Sequence, residues 1–251
     1  MKVMALKEPL VLGHLYPELL NLYGDRGNVT AIVRRCQWRG LPVVLRQVHL
    51  GEWADFRQFD LLFIGGGSDR EMAACSADFL RRAENLGKAV EGGLVVLAVC
   101  GGYQLLGHYY QTAGGKTVTG LGILDFYTVA GNRRLVGNAA ADVRLGGVRV
   151  RLAGFENHLG RTYLGRVEPL GKVVFGHGNN GLDGTEGARY KNVFCTYLHG
   201  PVLPKNPAFS DHLIELAAGR KGLAETLGPL DDGLEHAARR AAFKLMGLKF
   251  W

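Results

Sequence analysis

The chain has no cysteines at metal-binding or disulfide spacing: its four, Cys36, Cys75, Cys100 and Cys195, stand far apart in 251 residues. This excludes a CxxC metal or redox motif and argues against a disulfide framework, so a reducing, cytoplasmic setting is expected. No apolar run approaches the ~20 residues that a transmembrane helix needs. The first residues include Glu8 and Pro9 and lack the apolar core of a signal peptide, so neither membrane insertion nor export is expected. Lysine and arginine outnumber acidic residues by 30 to 23. They fall in scattered pairs such as Arg34-Arg35, Arg81-Arg82, Arg133-Arg134 and Arg239-Arg240, with no basic run and no interleaved aromatics. Nucleic acid is therefore not an expected partner; an anionic substrate or an acidic protein surface suits the charge. A phosphate-binding loop is missing as well. Gly114-Gly115-Lys116-Thr117 ends like one, but Tyr110 sits where its frame needs glycine. No ATP site, metal site or cofactor is expected.

Glycine is what the chain has in plenty, 37 residues, which points to tight turns and backbone-lined sites. Leu10 to Gly13 reads as a first strand and Val29 to Trp38 as a helix ended by Gly40. Pro42 to Leu50 and Asp60 to Ile64 read as further strands, and a long helical pattern runs through Val90. Strands alternating with helices predict an α/β fold with a doubly wound, mostly parallel sheet flanked by helices. After Thr117 the segments shorten and turn β-rich, at Gly122 to Val129, Ala139 to Leu145, Val148 to Leu152 and Val173 to Phe175. These predict an antiparallel β extension in the second half. Asn206 to Gly219 and Leu234 to Met246 read as closing helices. In the last, Leu234, Ala237, Ala238, Ala241 and Leu245 form an apolar stripe expected to pack on the sheet. Nothing marks a linker, so residues 1–251 are read as one domain.

The most informative stretch is Leu94 to Gly107. A valine-rich run, buried on both faces, leads into Cys100-Gly101-Gly102, and helical spacing resumes at Tyr103. A cysteine at such a strand-to-helix corner faces the positive end of a helix, which favours thiolate, and the following N–H groups suit an oxyanion. Cys36 and Cys75 lie in predicted helices and Cys195 in a predicted strand, positions that suit packing. Gly65-Gly66-Gly67, Cys100 and His199 all end predicted strands, the edge where an open α/β sheet holds its ligand.

Cys100-x-Gly102-x-Gln104 at this corner resembles the nucleophile motif of class I glutamine amidotransferases, with His199 in the place of that family's base. Phe155-Glu156-Asn157-His158 and Tyr197-Leu198-His199-Gly200 resemble the cobyric-acid-synthase-like branch. Residues 23–28 (YGDRGN), 65–71 (GGGSDRE) and 199–207 (HGPVLPKNP) are closer to the GatD family of lipid II isoglutaminyl synthase subunits. The resemblance implies a glutaminase in which Cys100 attacks L-glutamine to give a glutamyl thioester and His199 serves as base. Gly66, Gly67 and Gly101 would make the oxyanion hole, and Gln104 and Arg134 would bind the substrate, with Arg133 the alternative to Arg134. It implies no cofactor, and it implies a heterodimer with an ATP-using, Mur-ligase-like subunit that amidates the D-glutamate of lipid II, a peptidoglycan precursor. A cobalamin-type glutaminase, a free-standing γ-glutamyl cysteine hydrolase and a non-catalytic regulatory scaffold are the alternatives. Two positions depart from the pattern. Ala98 stands where the elbow usually has glycine, and Pro201 where the common triad has glutamate. The residue that orients His199 is thus open, with Glu156 a candidate. Asp25, Arg26 and His158 have open roles too: Asp25 and Arg26 at a substrate edge or partner contact, with loop capping the alternative for Asp25, and His158 in the site or in the core.

Overall fold

In the computed structural model, which describes residues 8–223 and 226–249, the elements run in the order β1 (Leu10–Leu15), α1 (Arg26–Trp38), β2 (Val43–Val48), β3 (Leu61–Ile64), α2 (Asp69–Arg81), α3 (Ala83–Glu91), β4 (Val95–Val99) and α4 (Gly101–Leu106). Then come β5 (Tyr109–Gln111), β6 (Thr117–Thr119), β7 (Phe126–Leu145), β8 (Val148–Leu164), β9 (Gly171–Phe175), β10 (Thr185–Glu186), β11 (Ala188–Tyr190) and β12 (Val193–Thr196). Three helices close the chain: α5 (Val202–Lys205), α6 (Pro207–Arg220) and α7 (Gly233–Leu245). The helical pattern that reads as one through Val90 is two helices, α2 and α3. They part at Arg82, whose guanidinium turns back onto Asp78.

Two sheets form. The first has the order β11-β12-β4-β3-β1-β2 and is parallel except for β11. Its central strands β3, β4 and β12 are buried at every position, which is why they read as unbroken apolar runs. From β1 the chain crosses outward to β2 and then returns past β1 to β3 and β4. Right-handed crossovers in opposite directions put α1 on one face and α2 with α3 on the other. The carboxyl ends of β1, β3, β4 and β12 therefore share one edge, with the reversal of strand order between β1 and β3.

The antiparallel half is more than an extension. Only β11 extends the first sheet; β5 to β10 build a second sheet around the long β7–β8 hairpin. Gly146 and Gly147 make its two-residue turn, both at positive φ (53° and 86°), a conformation that glycine adopts without strain. Short predicted segments such as Ala139 to Leu145 and Val148 to Leu152 are the part of this hairpin next to the turn. A register shift between Ala130 and Leu135 bends β7. Phe155 on β8 bonds in both directions to His199 (2.7 and 3.2 Å), so the second sheet is stitched to the carboxyl edge of the first. The Gly114-Gly115-Lys116 stretch is the turn of the β5–β6 hairpin, closed by Thr112 N–H to Lys116 O at 2.8 Å, not a strand-to-helix phosphate loop.

The last helix departs from expectation. Leu234 (86% exposed) and Leu245 (77%) point outward, and α7 instead buries Phe243 on its opposite face, which packs with Met246 on Ala140 and Ala153. The larger Phe243 and Met246 bury more apolar area than the alanines of the stripe, and this sets the helix's rotation. Among the described residues no helix is long and apolar enough to cross a membrane.

Candidate active site

β4 ends in Cys100, whose backbone lies at φ 49°, ψ −105°. A side chain at this φ is strained, and strain of this kind persists only where the surroundings enforce it. Here both flanks are pinned. Cys100 N–H donates to Thr196 O (2.9 Å) on the neighbouring strand, and Gly102 N–H donates to Gly65 O (3.0 Å). The fit is too close for side chains: a Cβ on Gly102 would lie 2.6 Å from Ile64 O, and one on Gly101 would lie 2.8 Å from Gly67 N. The Cys100 thiol thus stands at the head of α4, 6% exposed, in a cleft of about 380 Å³. The other cysteines are fully buried. Burial pushes the thiols of Cys36 and Cys75 up to about 12 and that of Cys195 well above its ordinary value, so all three stay protonated.

His199, wholly buried, follows β12 and converges on the same point. A Cβ on Gly66 would meet His199 Cε1 at 3.0 Å, Asp25 Oδ2 at 3.2 Å and Cys100 Cβ at 3.3 Å, so only glycine fits between the three. The carboxylate that stands opposite His199 is that of Asp25. Its Oδ2 accepts from Gly66 N–H at 2.7 Å and its Oδ1 faces His199 Nδ1 at 3.5 Å, with both side chains wholly buried. Burial disfavours a charged imidazole. The Cys100 sulfur and the Asp25 carboxylate outweigh it and push the His199 pKa up to about 10, which makes the imidazolium the form at neutral pH. Tyr23 packs edge-on against the His199 ring at a centroid distance of 5.1 Å.

Two readings are corrected here. Glu156 does not reach His199: it accepts from His177 N–H and Gly178 N–H and contacts the His177 ring, because β8 points it into the second sheet. Gly66 does not supply an oxyanion donor, since its N–H is committed to Asp25. Gly67 lines the cleft beside Cys100, and Gly101 follows Cys100 as the first residue of α4. The loop-capping alternative for Asp25 holds alongside its place opposite His199: the side chain caps the Gly66 N–H of the loop after β3, though no helix turn of α1.

The glycine-rich loop after β1 carries Asp25 to its place by packing on the segment after His199. Gly27 lies so close to Pro201 that a Cβ there would sit 2.4 Å from its ring, and Asn28 Oδ1 accepts from Leu203 N–H at 2.9 Å. Pro201, the departure from the common triad, is thus the contact that seats the loop bearing the carboxylate. Arg26 points away from the cleft and is exposed.

The rest of the cleft is built by α4 and the second sheet. Gln104, 3% exposed, donates from Nε2 to Tyr197 Oη at 3.0 Å, and Tyr197 in turn bonds Thr162 at 2.7 Å. Arg134 sits in the irregular stretch of β7 and is held by Asn157 Oδ1 (2.9 Å) and Asn157 O (3.0 Å), at the cleft's rim. Arg133 does not line the cleft; its carbonyl accepts from Arg161. His158 does line it, stacked on Tyr197 at 3.7 Å, its Nδ1 bonded to Gly160 O and its charged form disfavoured by burial. A thiol at a helix head, an imidazole favoured in its charged form and a rim guanidinium suit acyl transfer from a small substrate with a carboxylate.

Comparison with known proteins agrees. Residues 11–207 match the CobB/CobQ-like glutamine amidotransferase domain. The chain is 42% identical to the Staphylococcus aureus lipid II isoglutaminyl synthase (glutamine-hydrolyzing) subunit GatD, over 92% of this chain and 93% of that one. It is 39% identical to the GatD of Streptococcus pneumoniae, over 84% and 82%. A probable cobyric acid synthase of Methanothermobacter thermautotrophicus is 35% identical over 58% of this chain and 30% of its own. The fold recurs in a crystal structure of a glutamine amidotransferase (TM-score 0.53, 17% identity, 82% of this chain and 98% of that one). It recurs again in a glutamine amidotransferase from Thermotoga maritima (TM-score 0.52, 12% identity, 95% of each chain). The chain belongs to the CobB/CobQ-like glutamine amidotransferase family.

Proposed function

We propose that this chain is the glutaminase subunit of a lipid II isoglutaminyl synthase, hydrolysing L-glutamine and passing ammonia to an ATP-using, Mur-ligase-like subunit. The reading is carried by the 42% identity to GatD across nine-tenths of both chains. The cleft supports its first half. The Cys100 thiolate attacks the side-chain carbonyl carbon of glutamine, and the Gly67 and Gly101 N–H groups hold the oxyanion that forms. With Nδ1 facing Asp25, Nε2 of His199 is the nitrogen left for the reacting atoms. It gives its proton to the departing amide nitrogen, so that ammonia leaves and a glutamyl thioester remains. His199 then takes a proton from water, hydroxide attacks the thioester, and glutamate and the Cys100 thiolate are restored. Asp25 fixes the imidazole and stabilises its charge.

Arg134 has the chemistry to hold the glutamine α-carboxylate at the cleft's rim. That contact is made in ground and transition states alike. Arg134→Ala is expected to raise the KM for glutamine about tenfold or more with little change in kcat, while Arg133→Ala leaves both near wild type. Steady-state kinetics with glutamine decide it; an unchanged KM in Arg134→Ala removes the arginine from the substrate.

The division of labour has its own test. The chain has no ATP-binding sequence element, so the amidation step needs a second subunit. In a reconstituted complex with ATP and lipid II, Cys100→Ser is expected to abolish glutamine-dependent amidation and spare amidation driven by added ammonium salt. Loss of both with a folded complex overturns the assignment of ammonia production to this chain.

A further inference from the structure

A second concave site lies on the far side of the Tyr23–Asn28 loop from Cys100. Between α1 and the edge strand β2 runs a groove of about 380 Å³ lined by His14, Arg26, Thr30, Arg34, Gln37 and Gln47, with Leu45 and two valines completing it. The lining carries two guanidiniums and no carboxylate. Register explains the placement: His14 on β1 is paired with Gln47 on β2. Arg26, Thr30 and Arg34 recur every fourth residue along α1 and so share one helix face. Because α1 leaves Leu45 and Gln47 of β2 exposed, the groove is open to solvent.

Its floor is the unusual part. His14 is 1% exposed, and neither ring nitrogen has a hydrogen-bond partner. A buried imidazole without partners is costly, and an apolar residue of similar size beside Phe63, which the His14 ring touches at 5.4 Å, avoids that cost. Burial first, and then the Arg26 charge, lower the His14 pKa to about 4, so the ring is neutral at pH 7, with one N–H to donate. The carboxylates near it are already engaged. Asp25 is held by Gly66 and faces His199, and Glu18 takes the His49 ring and Leu50 N–H. Arg34 gives one guanidinium N–H to Gln37 Oε1 (3.1 Å) within the groove, and among the described residues no carboxylate pairs with Arg26 or Arg34 and nothing accepts from the His14 ring.

We propose that this groove is an oxyanion-binding site, taking a carboxylate or phosphate group between Arg26, Arg34 and the His14 N–H. The two guanidiniums supply charge-assisted bonds, Gln37 and Gln47 flank them with amides, and the apolar wall of Leu45 accommodates the body of an organic ligand. The site is separate from the glutamine cleft and rests on none of that cleft's residues.

The test uses the full chain with isotope-labelled histidine, titrated in separate arms with inorganic phosphate and with acetate at constant ionic strength. Saturable shifts of the His14 ring signals are expected in at least one arm. Phosphate alone identifies a phosphate-bearing ligand, acetate alone a carboxylate-bearing one. Arg34→Gln is expected to weaken the binding about tenfold, the loss of a charge-assisted contact. His14→Phe is expected to melt at a higher temperature, since it removes the unpartnered imidazole, and to bind the anion more weakly in calorimetry. Arg134→Ala, at the other cleft, is expected to leave the His14 titration unchanged. Absence of any saturable His14 shift in both arms overturns the proposal, as does a titration that Arg34→Gln leaves unaltered. Should His14→Phe fold poorly, the Arg34→Gln titration alone decides.

Discussion

Cys100→Ala is expected to bring glutamine hydrolysis down to background, a loss on the order of 10⁶-fold in kcat, because nucleophile, base and carboxylate act as a unit and removing one member removes most of what all supply. The same position makes an unusual prediction for stability. Alanine inherits the strained backbone of Cys100 (φ 49°, ψ −105°), whereas glycine occupies that region freely. Cys100→Gly is therefore expected to be more stable than Cys100→Ala by about 1–2 kcal/mol even after glycine's larger unfolded-state entropy is counted, and equally inactive. Denaturant melts of the two variants measure the difference. If Ala is the more stable, the elbow is not holding its cysteine against a conformational preference. A glutamine-mimicking diazo-ketone should label Cys100 and spare Cys36, Cys75 and Cys195, whose thiols burial keeps protonated. An adduct on any of those three removes Cys100 from the role of nucleophile.

The parts of the site legible in the sequence were those whose signal is local. Val95 to Val99 is apolar without interruption because β4 is central in a parallel sheet, and Gly101-Gly102 follow because no side chain fits against Gly67 and Met72 at the first or against Ile64 and Gly65 at the second. Those two facts are enough to mark Cys100. His199 follows from the end of β12, whereas Gln104 is marked through the family resemblance of the Cys100-x-Gly102-x-Gln104 motif. Asp25 was not legible in the same way. Its loop stands out for glycine, but the contact with His199 depends on β1 ending at the same edge as β12, with three strands' separation in the sheet order hidden from any local pattern. The parallel topology puts the carboxyl end of β1 at the ligand edge along with those of β3 and β4. The second sheet is masked in the sequence for a related reason. Gly131 to Arg134 interrupt the alternation of β7, so one 20-residue strand looks like separate short ones, and the irregular stretch that spoils the pattern is the one that carries Arg134 to the cleft. On α7 the stripe of Leu234, Ala237, Ala238, Ala241 and Leu245 faces outward because Phe243 and Met246 bury more apolar area on the other face.

Asp25→Asn is expected to cost about 10²–10⁴-fold in kcat, less than loss of the nucleophile, with a modest effect on KM. The substitution keeps the shape and keeps an oxygen for Gly66 N–H, so the loop still seats on Pro201 and Leu203. What it removes is the charge opposite His199 Nδ1. His199 is held up at about 10 by the Cys100 sulfur and by Asp25 against the opposing effect of burial; without the carboxylate its folded-state pKa falls. The sign of the consequence follows. A raised histidine pKa contributes stability that is fully present below the unfolded value near 6.5 and lost as pH rises through about 10, so the stability lost in Asp25→Asn is expected to be largest at and below about pH 6.5, so long as Asp25 itself stays ionised, and to shrink as pH rises towards 10. The alkaline limb of the kcat/KM profile should move to lower pH in parallel, since the imidazolium that protonates the leaving nitrogen is then lost sooner. Asp25→Glu reaches too far for the wholly buried space between Gly66 and His199 and is expected to rescue neither activity nor the pH profile. An Asp25→Asn enzyme with diminished kcat but an unmoved alkaline limb means that the carboxylate only seats the loop, and the charge on His199 must then rest on Cys100 alone.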